Sequence, residues 1–485
     1  MQNAKLQSKI QNLRKKYQKF IYGNYSWKIS ARNLEILFDF KIEPNPAPET
    51  SFRYGASIYF RPKVIIENVK KSQIKSVGKG VLDNLVFHLG LIELLSYWKA
   101  TCSPKIEIQA GFLNKEQVLW WKELILNGMG QFFYENKINF TRPNFLKIIP
   151  KSNKYKKSAT AEKLSLLENR ILLPVGGGKD SAVTLELLTR ANRNIRCFGL
   201  NPTNAALKIM KIAGCKNPII VKRKIDRKLL ELNQKGFLNG HTPFSAYLAF
   251  LSLFLAIIFG KRYIALSNER SSNEGNLKYL GATINHQYSK SFDFEEKFRH
   301  YSRKYLARNV EYFSFLRPLY EIQIAKIFSR YQKYFDVFLS CNEAYKTNSG
   351  AKKPTKKWCG KCPKCLFLFI ILYPFLDEKK LLKIFGKNLF ANKKLLPTMQ
   401  QLTGERGFKP FECVGAKKEC LVALYLSWKK YTGRILKLPI LLKYFEEKIL
   451  PKYPNLETES KKILNSWNEQ NYLPKYFEGI LKSQE

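Results

Sequence analysis

Hydrophobic and polar positions change texture twice along the 485 residues. In the first stretch, Ser57–Ile66 reads as a strand and Val86–Trp98 carries apolar residues at helical spacing. A second helical pattern, rich in Trp120 and Trp121, ends near Gly128-Met129-Gly130. The lysine-rich segment Lys151–Lys157 has few apolar residues and reads as a linker. From Ile171 onward short apolar runs alternate with helical ones: Ile171–Val175, Ala182–Leu188, Ile195–Leu200, Ala205–Ile212, Pro218–Val221 and Tyr263–Leu266. Alternation of this kind predicts an α/β fold, a doubly wound parallel sheet with helices on both faces. Beyond Cys365 the pattern is helical and basic to the end.

Thr242–Gly260 contains no charged residue and approaches the ~20 residues needed to cross a bilayer. It lies between strand-like segments, so the expectation is a helix buried on all sides and no membrane span. Hydrophobic residues at 45% support a folded core, and the length points to more than one domain. Three regions are expected: 1–165 as an N-terminal α+β domain, 166–340 as the α/β domain of the alternating pattern, and 341–485 as a cysteine-bearing helical region. The formal charge of +46, from 84 basic and 38 acidic residues, would attract nucleic acid or polyanionic small molecules. The lysines are spread along the chain, however, and an ordinary lysine-rich surface accounts for them equally. Nine unevenly spaced cysteines do not resemble a secreted disulfide scaffold and point to a reducing, cytoplasmic compartment.

Gly176-Gly177-Gly178-Lys179-Asp180-Ser181 follows a strand and opens a helix. Glycines there expose backbone amides, and the helix N-terminus adds a positive dipole end, so the turn is an anion site. Lys179 supplies a charge for phosphate, Asp180 a ligand for Mg2+, and Ser181 a hydroxyl for phosphate or a helix cap. A Walker loop would require Ser or Thr after the lysine, where Asp180 stands. The segment resembles the Ser-Gly-Gly-x-Asp-Ser loop of the PP-loop ATP pyrophosphatases, which include 7-cyano-7-deazaguanine synthases and tRNA thiolases. It departs from that loop at Gly176, where the family carries a serine.

Cys359, Cys362 and Cys365 form a double C-x2-C, and Cys341 lies upstream to complete four thiolates. The set suits structural Zn2+, with an iron–sulfur cluster as the alternative. A third segment, Ser267–Asn276, follows a strand and therefore sits at the carboxyl edge of the sheet, where ligands bind. Asn268, Glu269, Arg270, Asn273, Glu274 and Asn276 suit a polar, anionic ligand. Downstream, Asn285 and His286 continue this polar text, and His241 precedes the apolar helix.

Read together, several of these segments resemble the UDP-N-acetylmuramoyl-L-alanyl-L-glutamate epimerase family of bacterial peptidoglycan synthesis. The resemblance is carried by Pro174–Ser181, Ser267–Arg270, Asn273–Asn276, Asn285–Ser289, Trp358–Cys365 and Lys409–Gly415, with Gly90–Ser103 in the N-terminal region. It implies an adenine nucleotide α hydrolase-like fold and a UDP-muramoyl dipeptide substrate. It further implies ATP and Mg2+ as cofactors, with AMP and diphosphate released after the terminal glutamate carboxylate is adenylated. Lys179, Asp180, Glu269, Arg270, His241 and His286 are the implied catalytic candidates. Asn268, Glu269, Arg270, Asn273, Glu274, Asn276, Asn285 and His286 are expected to bind substrate, with no stable nucleic-acid partner. Two rivals stand beside this reading: another PP-loop adenylating enzyme acting on a nucleobase or tRNA, and a zinc-stabilised nucleic-acid-binding protein.

Overall fold

The computed structural model describes residues 2–45, 56–151, 159–161, 168–191, 193–345, 357–433 and 437–484. After Lys151, the expected linker falls outside the described residues. Thirteen strands are described: β1 (Lys19–Ser30), β2 (Asn33–Glu43), β3 (Ile58–Phe60), β4 (Lys63–Ile66), β5 (Lys105–Ile108), β6 (Lys147–Pro150), β7 (Glu168–Pro174), β8 (Ile195–Leu200), β9 (Ile219–Lys224), β10 (Lys261–Leu266), β11 (Leu277–Tyr279), β12 (Ala282–Ile284) and β13 (Glu311–Ser314). The run expected as one strand over Ser57–Ile66 divides into β3 and β4 around Arg61-Pro62. Proline lacks the amide that a continuing ladder requires.

Eleven of these strands form one sheet in the order β13-β10-β7-β8-β9-β4-β2-β1-β5-β6, with β3 paired to β2. The block β13-β10-β7-β8-β9 is parallel, as the strand–helix alternation predicts. Its neighbour β4 runs antiparallel to β9, and β1 with β2 forms an antiparallel ribbon. The whole is therefore mixed rather than uniformly parallel. The sheet passes without a break across the boundary expected at 165/166. A buried ion pair reinforces that seam, with Arg223 of β9 donating to both carboxylate oxygens of Glu93 at 2.7 and 3.0 Å.

Side chains alternate across the parallel block, as period-two geometry requires. Leu172, Phe198, Val221, Ile264 and Tyr312 face one apolar cluster, whereas Ile171, Leu173, Cys197, Ala265 and Phe313 face the other. The apolar helix Phe244–Ile258 fills the first face against the helix Lys79–Glu93, with Ala246, Tyr247 and Ala249–Ile258 all buried. It is the buried layer of an α/β fold, as expected. The helical stretch Lys79–Trp98 has the length and hydropathy to cross a membrane, and 83% of its apolar window is buried in the fold. The second face carries the helices Lys179–Arg190, Glu321–Phe328, Pro363–Leu372 and Lys417–Thr432, whose apolar sides share one cluster. Cys197 and Cys215 form a disulfide 18 residues apart, and the other seven cysteines are free.

Candidate active site at the strand-order switch

In the parallel block, chain order runs outward from β7 in both directions: β8 and β9 on one side, β10 and β13 on the other. The connections from β7 and β10 therefore leave to opposite faces, and a crevice opens between their carboxyl ends. β7 delivers the glycine turn there, and β10 delivers Ser267, Asn268 and Glu269. A cleft of about 340 Å³ results, lined by Gly176, Gly178, Asp180 and Ser181, an apolar wall of Phe198, Leu200, Leu248 and Leu266, and the polar groups of Asn268, Lys290, Ser340 and Cys413.

Gly177 has φ +95°, a conformation that strains any residue bearing a Cβ. Its carbonyl accepts from Leu339 N at 2.8 Å, which lays the next residue, Ser340, against the turn. A Cβ on Gly178 would stand 3.3 Å from the Ser340 Cβ, whereas one on Gly176 would meet open space. The space for a hydroxyl at 176 is thus present, and a different hydroxyl lines the same cleft. Ser181 Oγ donates to the Gly178 carbonyl at 3.1 Å, closing the first helical turn.

Behind the turn lies a buried charge cluster. Lys179, 1% exposed, donates to both Asp180 and Glu321. Oxygens of Asp180, Glu269 and Glu321 all lie within 4.8 Å of one another. Burial works against the Lys179 ammonium, but Asp180 and Glu321 outweigh it and hold its pKa above the usual lysine value. Burial also pushes Glu321 upward, yet Lys179 and Lys364 bring it below the ordinary carboxylate range. Glu269 lacks such a close cation; burial and the neighbouring Glu321 raise it to about 7. Three oxygen donors so close together suit a hard divalent cation. The sequence pointed to Asp180 and Glu269 but missed Glu321, an isolated carboxylate in an apolar helix 142 residues after Lys179.

The other end of the cleft carries Lys290 and Cys413, with two histidines packed behind them. Lys290 Nζ is 3.3 Å from Cys413 Sγ, and that sulfur is 4.0 Å from His286 Nε2. The His286 Nδ1 lies 2.5 Å from Gln131 Oε1, and the His241 ring lies 4.6 Å from the His286 ring, centroid to centroid. Burial, with Lys290 and Lys409 nearby, lowers the His286 pKa to about 3. Burial and His286 likewise hold His241 well below its ordinary value.

Other residues expected at the site hold its loops. Asn276 Nδ2 donates to the carbonyls of Lys409 and Pro410 at 3.0 and 2.8 Å, while its Oδ1 accepts from His286 N at 2.8 Å. Asn285 Nδ2 donates to the Ser272 carbonyl at 2.9 Å, and Asn273 Oδ1 accepts from Phe292 N at 2.7 Å. Glu274 pairs with Lys409 at 3.3 Å. The Arg270 guanidinium lies over the Tyr320 ring, 4.3 Å from its centroid. Asn268, by contrast, lines the cleft and donates to Ser314 Oγ at 3.1 Å. Arg317, fully buried, ties the two loops together: it donates to the Glu269 carbonyl at 2.7 Å, to the Lys290 carbonyl, and to Glu295 at 2.9 Å.

The four cysteines expected to act together do converge. Sulfurs of Cys341 and Cys362 are 3.9 Å apart, Cys359 and Cys365 3.7 Å, and Cys362 and Cys365 3.5 Å. A tetrahedron of metal–sulfur bonds about 2.3 Å long has edges of about 3.8 Å. The spacing therefore fits four-coordinate thiolate ligation.

An open α/β sheet with a glycine turn and a carboxylate cluster at its switch point defines an α/β protein with a polar cleft at the carboxyl ends of its strands. Family models sharpen this: the MurL N-terminal domain matches residues 13–315, and the MurL C-terminal domain matches residues 337–442. The chain belongs to the MurL family. Among its relatives, the UDP-N-acetyl-alpha-D-muramoyl-L-alanyl-L-glutamate epimerase of Micromonospora sp. is 33% identical over 346 residues, covering 70% of this chain and 73% of that protein. The epimerase of the same name from Salinispora tropica is 31% identical over 407 residues, 84% of each chain. That from Xanthomonas oryzae pv. oryzae is 32% identical over 348 residues, 70% and 75% respectively.

Proposed function

We propose that the chain epimerises the terminal L-glutamate of UDP-N-acetylmuramoyl-L-alanyl-L-glutamate to D-glutamate, using ATP to activate the carboxylate and releasing AMP and diphosphate. The observation that carries this reading is the glycine turn opening onto the same cleft as Asp180, with Glu269 and Glu321 beside it. The relatives' names supply the substrate.

A glutamate α-proton beside a free carboxylate is hard to remove, because the resulting carbanion lies next to a negative charge. Adenylation cancels that charge and gives the carbonyl somewhere to place the electron pair. In this PP-loop reading, the amides of Gly176–Gly178 bind the triphosphate at the helix N-terminus. Phe198 and Leu200 form the apolar wall for the base, and Ser340 supplies the hydroxyl that Gly176 lacks. Asp180, Glu269 and Glu321 would hold Mg2+, which when bound neutralises phosphate charge. Lys179 holds the Asp180 and Glu321 carboxylates in place. Lys290, facing the cleft, stabilises negative charge developing on the acyl carbonyl, the kind of preorganised interaction that contributes most to catalysis. Cys341, Cys359, Cys362 and Cys365 would hold Zn2+ as a structural cross-link beneath the cleft. ATP dependence implies that the reaction takes place in the cytoplasm.

Incubation with this dipeptide substrate, ATP and magnesium in deuterated water tests the proposal. One solvent deuteron should appear at the glutamyl α-carbon, with AMP formed, and Asp180→Ala should abolish both. Deuterium exchange without AMP, or neither product, would overturn it.

A further inference from the structure

We propose that Cys413 is the group that removes the glutamyl α-proton, with the Lys290 ammonium beside its sulfur, His286 as the hydrogen-bond acceptor for its S–H, and Gln131 as the residue that positions His286. The inference rests on the epimerase reading and assigns the chemical step that reading leaves unassigned.

Cys413 lines the cleft together with the glycine turn. Its sulfur lies 4.0 Å from His286 Nε2 and 3.3 Å from the Lys290 ammonium. The orientation of His286 follows from a short chain of bonds. Gln131 Nε2 donates to Glu135 at 2.8 Å, which directs the amide oxygen at His286 Nδ1. That oxygen only accepts, so Nδ1 carries the ring hydrogen and the Nε2 lone pair faces the thiol. A thiol, a neutral imidazole that accepts its hydrogen bond and a third group that orients the ring thus stand in sequence, with the Lys290 ammonium 3.3 Å from the sulfur. These groups come from separate segments: Gln131 from the helix Gly130–Glu135, His286 and Lys290 from the chain after β12, and Cys413 from the loop before the helix Lys417–Thr432.

The step balances as follows. The thiol gives its proton to solvent, and the Lys290 ammonium, 3.3 Å from the sulfur, is the counter-charge of the thiolate. The thiolate then takes the α-proton; the Cα–H bond breaks, an S–H bond forms, and the electron pair moves into the activated carbonyl as an enolate. A solvent proton adds to Cα from the opposite face, and the Cys413 S–H, hydrogen-bonded to His286 Nε2, is back in its starting state.

The full-length chain with the same dipeptide substrate, ATP and magnesium gives two separate readouts. Pyrophosphate–ATP exchange reports adenylation, and deuterium wash-in at Cα reports proton abstraction. Cys413→Ser and Cys413→Ala should retain exchange and lose wash-in by about 10²–10⁴-fold, the usual worth of a positioned acid–base group. Gln131→Leu should lower the kcat of wash-in at an unchanged KM and leave exchange in place, a split that a purely structural role would not produce. If either cysteine variant fails to fold, peptide-mapped labelling of Cys413 in the wild-type chain decides, since labelled enzyme should keep exchange and lose wash-in. Wild-type wash-in from a folded Cys413→Ala, or from labelled enzyme, overturns the assignment while leaving the epimerase reading intact. A wild-type chain with neither exchange nor wash-in removes that reading itself.

Discussion

Arg317 offers the sharpest test of how the cleft is held together. Its guanidinium is fully buried, and the partner Glu295 is 2% exposed at its side chain, so neither charge has solvent to fall back on. Arg317→Met keeps most of the volume but strands the Glu295 carboxylate, which among the described residues then keeps the Ser314 amide at 2.8 Å. Breaking a buried pair from one side costs about 3–5 kcal/mol, because an uncompensated charge stays behind. The substitution also removes the bonds to the Glu269 and Lys290 carbonyls, so the two cleft loops lose a shared anchor. Urea unfolding followed by tryptophan fluorescence should show a lower midpoint at an unchanged slope, and the folded variant should bind ATP more weakly. Adding Glu295→Leu removes the stranded charge and leaves mainly the orphaned Ser314 amide, at about 1–3 kcal/mol. The double variant should therefore be more stable than Arg317→Met alone. A single variant that loses less than about 1 kcal/mol, or a double variant less stable than the single, would refute the reasoning.

Three further outcomes are expected. Glu321→Gln removes a carboxylate from the triad and one partner from Lys179; AMP formation should fall by about 10²–10³-fold and demand more magnesium, measured by a magnesium titration of AMP release. Cys365→Ser should abolish bound zinc in elemental analysis, and cobalt reconstitution of the wild type should give the intense visible absorption of a tetrahedral thiolate site, absent from the variant. His88, bonded to the Asn84 carbonyl at 2.8 Å and Tyr301 Oη at 2.9 Å, has its pKa lowered to about 4 by burial. Because the unfolded imidazole binds a proton near pH 6.5 and the folded one does not, stability should drop as pH falls from 6.5 to about 4, by roughly 3 kcal/mol for this group. Denaturation midpoints of His88→Gln should show a correspondingly weaker pH dependence over that window.

Local patterns made much of this protein legible. The glycine turn declared itself because a strand, a run without Cβ atoms and an amphipathic helix are consecutive in the chain. The cysteine set was readable because three of its members share a double C-x2-C. The helix Phe244–Ile258 could be placed inside because its composition permits no solvated face. Groups joined only by the fold were harder to see. Glu321 meets Lys179 across 142 residues, and its own surroundings, Tyr320-Glu321-Ile322, look like any helix start. Gln131 and His286 are 155 residues apart, so no spacing pattern could couple them. Asn276 and Asn285 looked like ligand contacts, whereas their amides satisfy backbone groups in neighbouring loops. Polar side chains in a sequence do not reveal whether their partner is a ligand or a carbonyl.

The seam between β4 and β9 has a practical consequence for anyone dissecting this molecule. Separating the chain after β6 would strip each half of a neighbour and leave two raw rims of amides and carbonyls, together with the apolar faces they bordered. Such rims recruit whatever strand they meet, so either piece expressed alone should self-associate or precipitate. Co-expression, by contrast, offers each rim its intended mate, which makes split-gene rescue a feasible tool and single-fragment crystallography a poor one.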